Sequence, residues 1–547
     1  MTPTRKRLIL CCDGTWMDSD DGFNKPTLIP YVPTATLQVP SNVTRISRAL
    51  TKNGLDGIHQ IIFYQAGVGT STGVLDSFTG GALGKGIAEN IREAYSFIAA
   101  NYTPGDDIIL MGFSRGAFTA RSVAGMIGNI GILTSAGMDS FYAIFKDQEN
   151  FRSSCYNDRF PNIPFSRKPK GPNMARDYKR RLEDLQLTRV YDPDGSKICV
   201  QAVAVWDTVG SLGIPNLPFF SKIGFPSSSK EFRFYNTNLS GVIKHAFQAL
   251  ALDEHRQPFT PAVWERTGKD TTPDLRQVWF PGAHSNVGGG YDDQEIANIS
   301  LAWMMDQLSS IGVAFQDDFI DQIYQKNVQY YETSPQAPTS LFSRRREKQW
   351  AIKTIYDKHK PVRPWAIGQI YDSSSGVYSL AGKQWRTPGM NFRADPDDGQ
   401  PTDIPMENTN ERIHSCVRIR LELEGLGLDD NGLYECRALL GKTYWRLRHV
   451  RMKVHDPIPS EANWCAGSSG SPRDPDNMRW IWEYCGPESL APRQRYMVEE
   501  TLGPYEKKLL LLNKGEDDSI VFRNLLREES KDSEEIGAVV SEDASEL

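Results

Sequence analysis

The chain has 547 residues, of which 24% are charged and 39% are hydrophobic, and its formal net charge is −6 at pH 7. These values are ordinary for a globular protein, and the length allows about two to four domains. The negative balance excludes an electrostatic case for binding nucleic acid or an anionic membrane surface.

The sequence shows no recognisable targeting, membrane-spanning or metal-binding pattern. The apolar run after Arg5-Lys6-Arg7 stops at Asp13, too early for a signal peptide, and no stretch approaches the ~18–20 apolar residues of a membrane span. The eight cysteines include no Cys-x-x-Cys pair, so we expect reduced thiols, no metal site and no cofactor. We expect a cytoplasmic protein whose contact with a membrane, if it acts on lipid, is transient.

The first predicted strand, over residues 7–12, runs directly into Asp13-Gly14-Thr15. An Asp-Gly-Thr sequence suggests a phosphatase, but Cys11 stands where the nucleophilic aspartate would be needed, which excludes that function. The loop instead offers the backbone N–H of Gly14 or Thr15 to a developing oxyanion. A role for Asp13 in an Asx-turn or a helix cap explains the same residues equally well.

The next elements alternate between helix and strand. We predict a short helix near 42–52, a strand over 60–65, and a helix over 87–101 that follows a glycine-rich stretch at 67–86. That stretch lacks the Gly-Lys-Ser/Thr of a phosphate-binding loop, so we interpret it as backbone packing. The alternation predicts an α/β fold with a mostly parallel sheet and helices on both faces.

The most specific motif is a Gly-x-Ser-x-Gly centred on Ser114, at the junction of a strand over 107–112 and a helix over 115–128. This strand–turn–helix context is the one that a nucleophile elbow needs. The turn is tight, so a side chain on Gly112 or Gly116 would crowd the neighbouring backbone. The serine oxygen then stands at the carboxyl edge of the sheet, over the positive end of the following helix.

A nucleophilic serine needs a base and an orienting acid, and α/β-hydrolases supply them in the chain order serine, acid, histidine. A predicted strand over 198–206 ends at Asp207, and another over 276–281 is followed by His284 on a glycine-rich loop. Each of the three residues follows an apolar strand. We therefore expect Ser114, Asp207 and His284 to meet at one edge of the sheet.

Other residues compete for the same roles. Residues 242–253 are predicted to form a packed helix, and Asp253 and His255 lie at its end. Asp253 is the alternative orienting acid, and His255 is an alternative base or a substrate-binding residue. A helix over 294–311 completes the sheet layer, whereas residues 138–195 are interpreted as an insertion with two helices.

The pattern weakens after residue 312. Residues 385–410 are rich in Pro, Asp, Asn and Gly, which indicates a linker or a long loop. Residues 412–424 alternate apolar and polar side chains like a half-buried strand. We interpret residues 411–513 as a smaller mixed α/β module packed on a catalytic domain over 5–384. The acidic segment 528–547 is predicted to be disordered.

Several segments together resemble one known family. The matching segments are 12–16 (CDGTW), 41–45 (SNVTR), 64–70 (YQAGVGT), 86–95 (GIAENIREAY), 105–121 (GDDIILMGFSRGAFTAR), 205–210 (VWDTVG), 251–256 (ALDEHR) and 279–291 (WFPGAHSNVGGGY). They resemble the α/β-hydrolase family that was long catalogued as a domain of unknown function and that includes type VI secretion phospholipase effectors. The resemblance covers roughly residues 5–310. It implies a serine-dependent carboxylic-ester hydrolase whose triad is Ser114, Asp207 and His284.

These observations predict a two-step acyl transfer from a lipid or phospholipid ester to water. Arg115 would supply a backbone N–H to the oxyanion, and its side chain would either bind a substrate anion or form a salt bridge. Two alternatives stay open. One is a binding or scaffold protein that keeps the fold without turnover, and the other is an acyltransferase or peptidase that uses the same triad.

Overall fold

A computed structural model describes residues 5–14, 22–23, 36–37, 39–67, 80–150, 157–169, 174–209, 239–266, 273–333, 362–373, 382–394, 401–441, 443–451 and 478–513. Thr15 and the predicted acidic tail lie outside these residues. The strands described are β1 (Lys6–Cys12), β2 (Gly22–Phe23), β3 (Thr36–Leu37), β4 (His59–Gln65), β5 (Asp107–Phe113), β6 (Ile132–Leu133), β7 (Thr188–Arg189), β8 (Val200–Trp206), β9 (Ile243–Ala251), β10 (Asp274–Phe280), β11 (Phe392–Ala394), β12 (Pro401–Pro405), β13 (Glu411–His414), β14 (Trp445–Arg451), β15 (Met478–Tyr484) and β16 (Tyr496–Glu500). The helices described are α1 (Asn42–Ala49), α2 (Gly80–Asn101), α3 (Arg115–Ile130), α4 (Ser135–Met138), α5 (Phe141–Asn150), α6 (Met174–Asp184), α7 (His284–Gly288), α8 (Glu295–Ser309), α9 (Phe319–Thr333), α10 (Ser415–Glu422) and α11 (Arg437–Leu440).

The largest element of the described part of the chain is one ten-stranded sheet. Its ten strands lie in the order β14-β15-β16-β13-β10-β9-β8-β5-β1-β4. All neighbouring strands from β16 to β4 are parallel, and β15 runs antiparallel to both of its neighbours. The predicted mostly parallel sheet is therefore confirmed.

The chain reverses its direction of travel across the sheet at β1. It passes from β1 outward to β4 and then returns across β1 to β5. In parallel sheets, the carboxyl ends of the strands on either side of such a reversal form a crevice in which ligands bind. Asp13 follows β1 and Ser114 follows β5, so both residues lie at this crevice.

Helices cover both faces of the sheet. Along β1, Leu8 and Leu10 belong to a buried cluster with residues of α2 and α3, whereas Ile9 belongs to a second cluster with residues of α1 and α8. Successive side chains of a strand point to opposite faces, so one strand contributes to both hydrophobic layers. The predicted fold class, α/β-hydrolase-like with helices on both faces, is confirmed.

The predicted helix over 242–253 is wrong, because Ile243–Ala251 forms β9 in the middle of the sheet. The last six residues of β9 are all buried. A parallel strand covered on both faces shows no polar alternation, so its sequence resembles that of a buried helix. Its central polar residue, Gln248, accepts from the Thr208 hydroxyl at 2.6 Å and donates to the Gln277 side chain at 3.1 Å.

The C-terminal strands extend the same sheet. β13 pairs with β10, and β16 pairs with β13, both in parallel. The strand predicted over 412–424 is correct only at its start, because α10 begins at Ser415, where the His414 side chain accepts from the Cys416 N–H. The segment 411–513 contains both strands and helices, and β13 bonds directly to β10 of the main sheet. Its division from the catalytic domain as a smaller module stays a prediction.

The close approach of α3 to β1 leads to a first prediction. A Cβ on Gly116 would lie closer than 3.0 Å to the carbonyl oxygens of Cys12 and Asp13, whereas a Cβ on Gly125 in the same helix meets nothing within 4 Å. We expect Gly116→Ala to lower the free energy of unfolding by about 1–3 kcal/mol. The control Gly125→Ala should raise it by about 0.5–1 kcal/mol, because alanine favours a helix interior. Urea denaturation measures both, and equal effects of the two variants would contradict the packing.

Candidate active site

The turn at Ser114 holds this residue in a backbone conformation that non-glycine residues rarely adopt. Its φ is 57° and its ψ is −120°, between the end of β5 and the start of α3. Gly112 and Gly116 permit the turn, because a Cβ on Gly112 would collide with the Gly116 carbonyl. Ser114 occupies the N-cap of α3, yet its side chain makes no capping hydrogen bond. The hydroxyl is therefore not used to stabilise the helix, as a serine at this position usually is.

Backbone bonds join the serine turn to the next two strands of the sheet. The Ser114 N–H donates to the Trp206 carbonyl at 3.1 Å, and the Asp207 N–H donates to the Ala249 carbonyl at 2.7 Å. The Ala251 N–H donates to Oδ1 of Asp207 at 3.0 Å. The carboxyl ends of β5, β8 and β9 are thus fixed side by side.

His284 reaches this edge from the end of β10. Its Nδ1 lies 2.6 Å from Oδ2 of Asp207, and its ring centroid lies 4.6 Å from that of Phe113, the residue before Ser114. A second aromatic ring, that of Phe259, lies 5.0 Å from the imidazole in an edge-on arrangement. The three residues that the sequence analysis selected therefore lie at one edge of the sheet, and two of them are hydrogen-bonded.

Asp207 and His284 have pKa values that are both lowered from their ordinary ranges. Burial raises the pKa of Asp207, but the charge of Arg386 and the hydrogen bond to His284 outweigh burial and lower the pKa to about 2. Burial lowers the pKa of His284, and its bond to Asp207 opposes this effect only in part. At neutral pH the carboxylate is ionised and the imidazole is neutral. A neutral imidazole with a bonded Nδ1–H presents its other nitrogen as a base.

Arg386 is a member of the site that the sequence analysis missed. Its two terminal nitrogens donate to the two carboxylate oxygens of Asp207, each at 3.1 Å. The residue lies within the stretch that was predicted to be a linker or a long loop. The sequence separation of 179 residues between the partners left no local signal for this pairing.

Asp13 is a buried hydrogen-bond acceptor at the end of β1. Its carboxylate accepts from the hydroxyls of Ser41 at 2.6 Å, Thr44 at 2.6 Å and Tyr64 at 2.8 Å. Burial raises its pKa, and these bonds oppose that effect. Ser41 is the N-cap of α1, so Asp13 ties the start of that helix to β1. Asp13 is therefore not itself the helix cap, because Ser41 has that position, and the bonds to Asp13 favour a structural role over direct binding of substrate.

Of the three backbone N–H groups proposed as oxyanion donors, those of Gly14 and Arg115 belong to the described residues. The Gly14 N–H donates to Oδ1 of Asp13 at 2.6 Å, so the prediction that it faces a substrate oxyanion is not supported. Thr15 lies outside the described residues. Arg115 is the first residue of α3 and directly follows Ser114, so it stays the firmer candidate.

Asp253 and His255 are buried beside the site but are held by other groups. Oδ2 of Asp253 accepts from the Gly282 N–H at 2.6 Å and from the Tyr434 hydroxyl at 2.9 Å. The Nδ1 of His255 bonds the Asp253 carbonyl at 2.9 Å, and its ring stacks on Trp385 at a centroid distance of 4.7 Å. Neither residue contacts Asp207 or His284 through a bond that the described structure shows. Their roles as alternative acid and base are therefore not favoured.

Glu254 is a second carboxylate that the sequence analysis did not single out. Arg256 donates to it through Nε at 2.9 Å and Nη2 at 2.7 Å, and the His284 N–H donates to Oε2 at 3.3 Å. Burial raises the pKa of Glu254, but its bonds to Arg256 outweigh burial and lower it to about 2. An ionised glutamate thus accepts from the backbone N–H of His284, while Asp207 bonds its ring.

The described residues contain no group of three or more His, Cys, Asp or Glu side chains placed to hold a metal ion. Within the same ranges, no helix is both long and apolar enough to cross a membrane.

The comparisons with known proteins identify the family. A family model for the catalytic domain of Tle1-like phospholipase effectors of the type VI secretion system matches residues 6–307. The chain belongs to this family. The matched segment of this Tle1-like chain contains Ser114, Asp207, Glu254 and His284, whereas Arg386 lies beyond it.

Individual relatives of the Tle1-like chain are distant. It is 24% identical over 267 residues to an uncharacterized protein of Saccharomyces cerevisiae, across 46% of this chain and 32% of that protein. A structure of the Tle1 effector bound to the VgrG spike is 21% identical with a TM-score of 0.26, over 53% of this chain and 52% of that one. An uncharacterized protein from Pseudomonas aeruginosa is 15% identical with a TM-score of 0.29, over 59% and 49%. The chain spans about a third of the first relative and about half of the other two.

The buried pair of Glu254 and Arg256 leads to a prediction about stability and pH. The pKa of Glu254 is about 2 in the folded chain, against ~4.3 for an unperturbed glutamate. A lowered pKa adds stability that is complete above ~4.3 and is lost as the pH falls towards 2. We expect wild type to exceed Glu254→Gln in free energy of unfolding by about 3 kcal/mol at pH 7, and the gap to narrow at pH 3.

The matched control is Glu435→Gln, which removes the same charge from an exposed pair with Arg437. Surface pairs contribute little, so this variant should follow wild type at both pH values. Urea denaturation provides the measurement. A gap between wild type and Glu254→Gln that is equal at pH 7 and pH 3 would contradict the assignment.

Proposed function

We propose that the chain is a serine-dependent hydrolase of carboxylic esters, with lipid or phospholipid esters as substrates. The observation that carries the proposal is the 2.6 Å bond between His284 and the buried Asp207, beside the strained turn that presents Ser114. Membership of a family of phospholipase effector catalytic domains supports the substrate class. The serine nucleophile, the triad and the acyl-enzyme are parts of the same proposal.

In the first step, the Ser114 hydroxyl oxygen attacks the ester carbonyl carbon while Nε2 of His284 takes the hydroxyl proton. The imidazolium that forms keeps its Nδ1–H bonded to the ionised Asp207, which offsets the new charge. The carbonyl oxygen becomes an oxyanion, and we assign its stabilisation to the Arg115 N–H at the start of α3. His284 then returns the proton to the leaving alcohol, and the acyl group stays on Ser114.

In the second step, water replaces the alcohol. His284 takes a proton from the water as its oxygen attacks the acyl carbon, and the same oxyanion contacts stabilise the tetrahedral intermediate. Collapse of the intermediate returns the proton to Ser114 and releases a fatty acid. The two aromatic rings of Phe113 and Phe259 line the imidazole and keep apolar surface against it. Apolar surroundings of this kind suit the acyl part of a lipid ester.

The function is tested with Ser114→Ala on two substrates, phospholipid vesicles and a soluble short-chain ester. We expect wild type to release fatty acid from the vesicles, and the variant to lose at least ~10³-fold in kcat because the nucleophile is gone. Ser122→Ala is the matched control. It makes the same substitution in α3 at a buried hydroxyl that has no hydrogen-bond partner among the described residues.

The outcomes separate the parts of the proposal. Undiminished ester hydrolysis by a folded Ser114→Ala variant would overturn the triad. Hydrolysis of the soluble ester alone would overturn the lipid substrate and leave a simple esterase. Absence of turnover by folded wild type on both substrates would favour a binding role for the fold.

A further inference from the structure

A segment that follows the family-matching region in the sequence contacts the proposed active site. We call residues 382–394 the strap. Its start is fixed to the loop after β9, where the Gln257 N–H donates to the Gly382 carbonyl at 3.2 Å and the Gln384 N–H donates to the His255 carbonyl at 2.9 Å. Its later part is fixed to β13, since the Gly389 N–H donates to Glu411 at 2.8 Å. The strap is thus held on both sides of Arg386.

From this position Arg386 forms a bidentate pair with the Asp207 carboxylate. Each terminal nitrogen of the guanidinium donates to a different carboxylate oxygen, and Nη2 also donates to the Phe259 carbonyl at 2.7 Å. The side chains of Arg386 and Asp207 are 3% and 0% exposed. A planar guanidinium bonded to both oxygens fixes the plane of the carboxylate, which a single hydrogen bond does not do.

We infer that Arg386 is a positioning residue that acts through Asp207, and that the strap completes an active site which the family-matching segment does not contain in full. This inference rests on the proposed function, because Asp207 is the orienting acid only if His284 is the base. It adds a residue, and a contribution from the C-terminal part of the chain, to that mechanism.

The physical need for such a residue follows from the burial of the acid. An ionised carboxylate without water requires an opposite charge or several donors. The Ala251 N–H and the His284 ring supply two donors, and Arg386 adds both the charge and the remaining two bonds. Loss of the arginine would free the carboxylate to rotate and would loosen its hold on the imidazole tautomer.

The arginine also sets the charge around the base. Four charged groups lie around His284 among the described residues: Asp207 directly after β8, Glu254 and Arg256 after β9, and Arg386 on the strap. Two negative and two positive groups leave this shell neutral, so a proton on the imidazole is not strongly favoured. Removal of one positive charge makes the shell negative and raises the affinity of His284 for a proton.

The test compares Arg386→Gln and Arg386→Lys with wild type in the full chain. Arg386→Gln should lower kcat by roughly 100-fold with little change in KM, because misplaced catalytic groups slow chemistry more than binding. The acidic limb of its kcat/KM profile should move to higher pH by on the order of one unit. Arg386→Lys restores the charge without the fork, so it should recover part of kcat, to roughly 10-fold below wild type, and return the limb to its wild-type position.

Arg393→Gln is the matched control in the same strap. Arg393 forms an ion pair with Glu265 at 2.7 Å, and among the described residues no bond joins its side chain to Asp207. This variant also loses a guanidinium–carboxylate pair, in which Nε of Arg393 donates to both oxygens of Glu265 at 2.7 and 3.0 Å, so it reports any general loosening of the strap. Its kcat and its pH limb should stay near those of wild type. Equal kcat losses in Arg386→Gln and Arg393→Gln, with unchanged pH limbs, would overturn the positioning role.

A readout that needs no turnover separates this inference from the proposed function. NMR titration of the His284 imidazole, assigned by its loss in His284→Gln, should give a higher midpoint in Arg386→Gln than in wild type. If wild type hydrolyses no ester but the midpoint still rises, the function fails and the role of Arg386 stands. If wild type is active but Arg386→Gln matches it in kcat, pH limb and midpoint, the function stands and the inference fails.

Discussion

The carboxylate of Asp207 is the point on which the site depends. It is fully buried, and a buried charge persists only when its oxygens are satisfied by donors or by an opposite charge. Here the partners come from three other parts of the chain: the Ala251 N–H at the end of β9, the His284 ring after β10, and the Arg386 side chain from residues beyond 381. A change in any of these three elements therefore affects the His284 imidazole through the Asp207 carboxylate.

The backbone around the serine follows from a second constraint, the narrow space between β5, β1 and α3. Ser114 adopts a positive φ because the chain must turn at once from strand to helix. The neighbouring backbone leaves no room for a side chain at Gly112 or Gly116. The turn is bonded to the carbonyl of Trp206, the residue before Asp207. The strained backbone of Ser114 and the buried carboxylate of Asp207 are therefore held by adjacent strands, which fixes their separation more firmly than flexible loops would.

The sequence was sufficient for the parts of the site that follow strands. Ser114, Asp207 and His284 each come after an apolar run, and parallel strands bring such ends to one edge, so local patterns predicted their convergence. β9 could not be recognised, because a strand buried on both faces has no alternation and Gln248 is its one internal polar marker in the buried half. Arg386 could not be recognised either, since its partner is 179 residues away and its own segment has no periodicity.

Asp13 illustrates a different limit. Its motif allowed a cap, an Asx-turn or a contact with substrate, and only the three-dimensional structure shows three hydroxyls, from Ser41, Thr44 and Tyr64, that bond its carboxylate. The sequence identifies residue types that suit a chemistry, whereas the neighbours that decide protonation and orientation come from elements far along the chain. For Asp207 and Glu254, those neighbours are arginines, and they keep both buried carboxylates ionised.

The most direct measurement is to locate the covalent adduct of an alkyl fluorophosphonate on the full chain by peptide mass mapping. An activated serine attacks the phosphorus and releases fluoride, which leaves a stable phosphonate ester. We expect one adduct, on Ser114, and slow or no labelling of His284→Gln because the hydroxyl proton then has no acceptor. An adduct on another residue, or labelling of His284→Gln at the wild-type rate, would contradict the proposed triad.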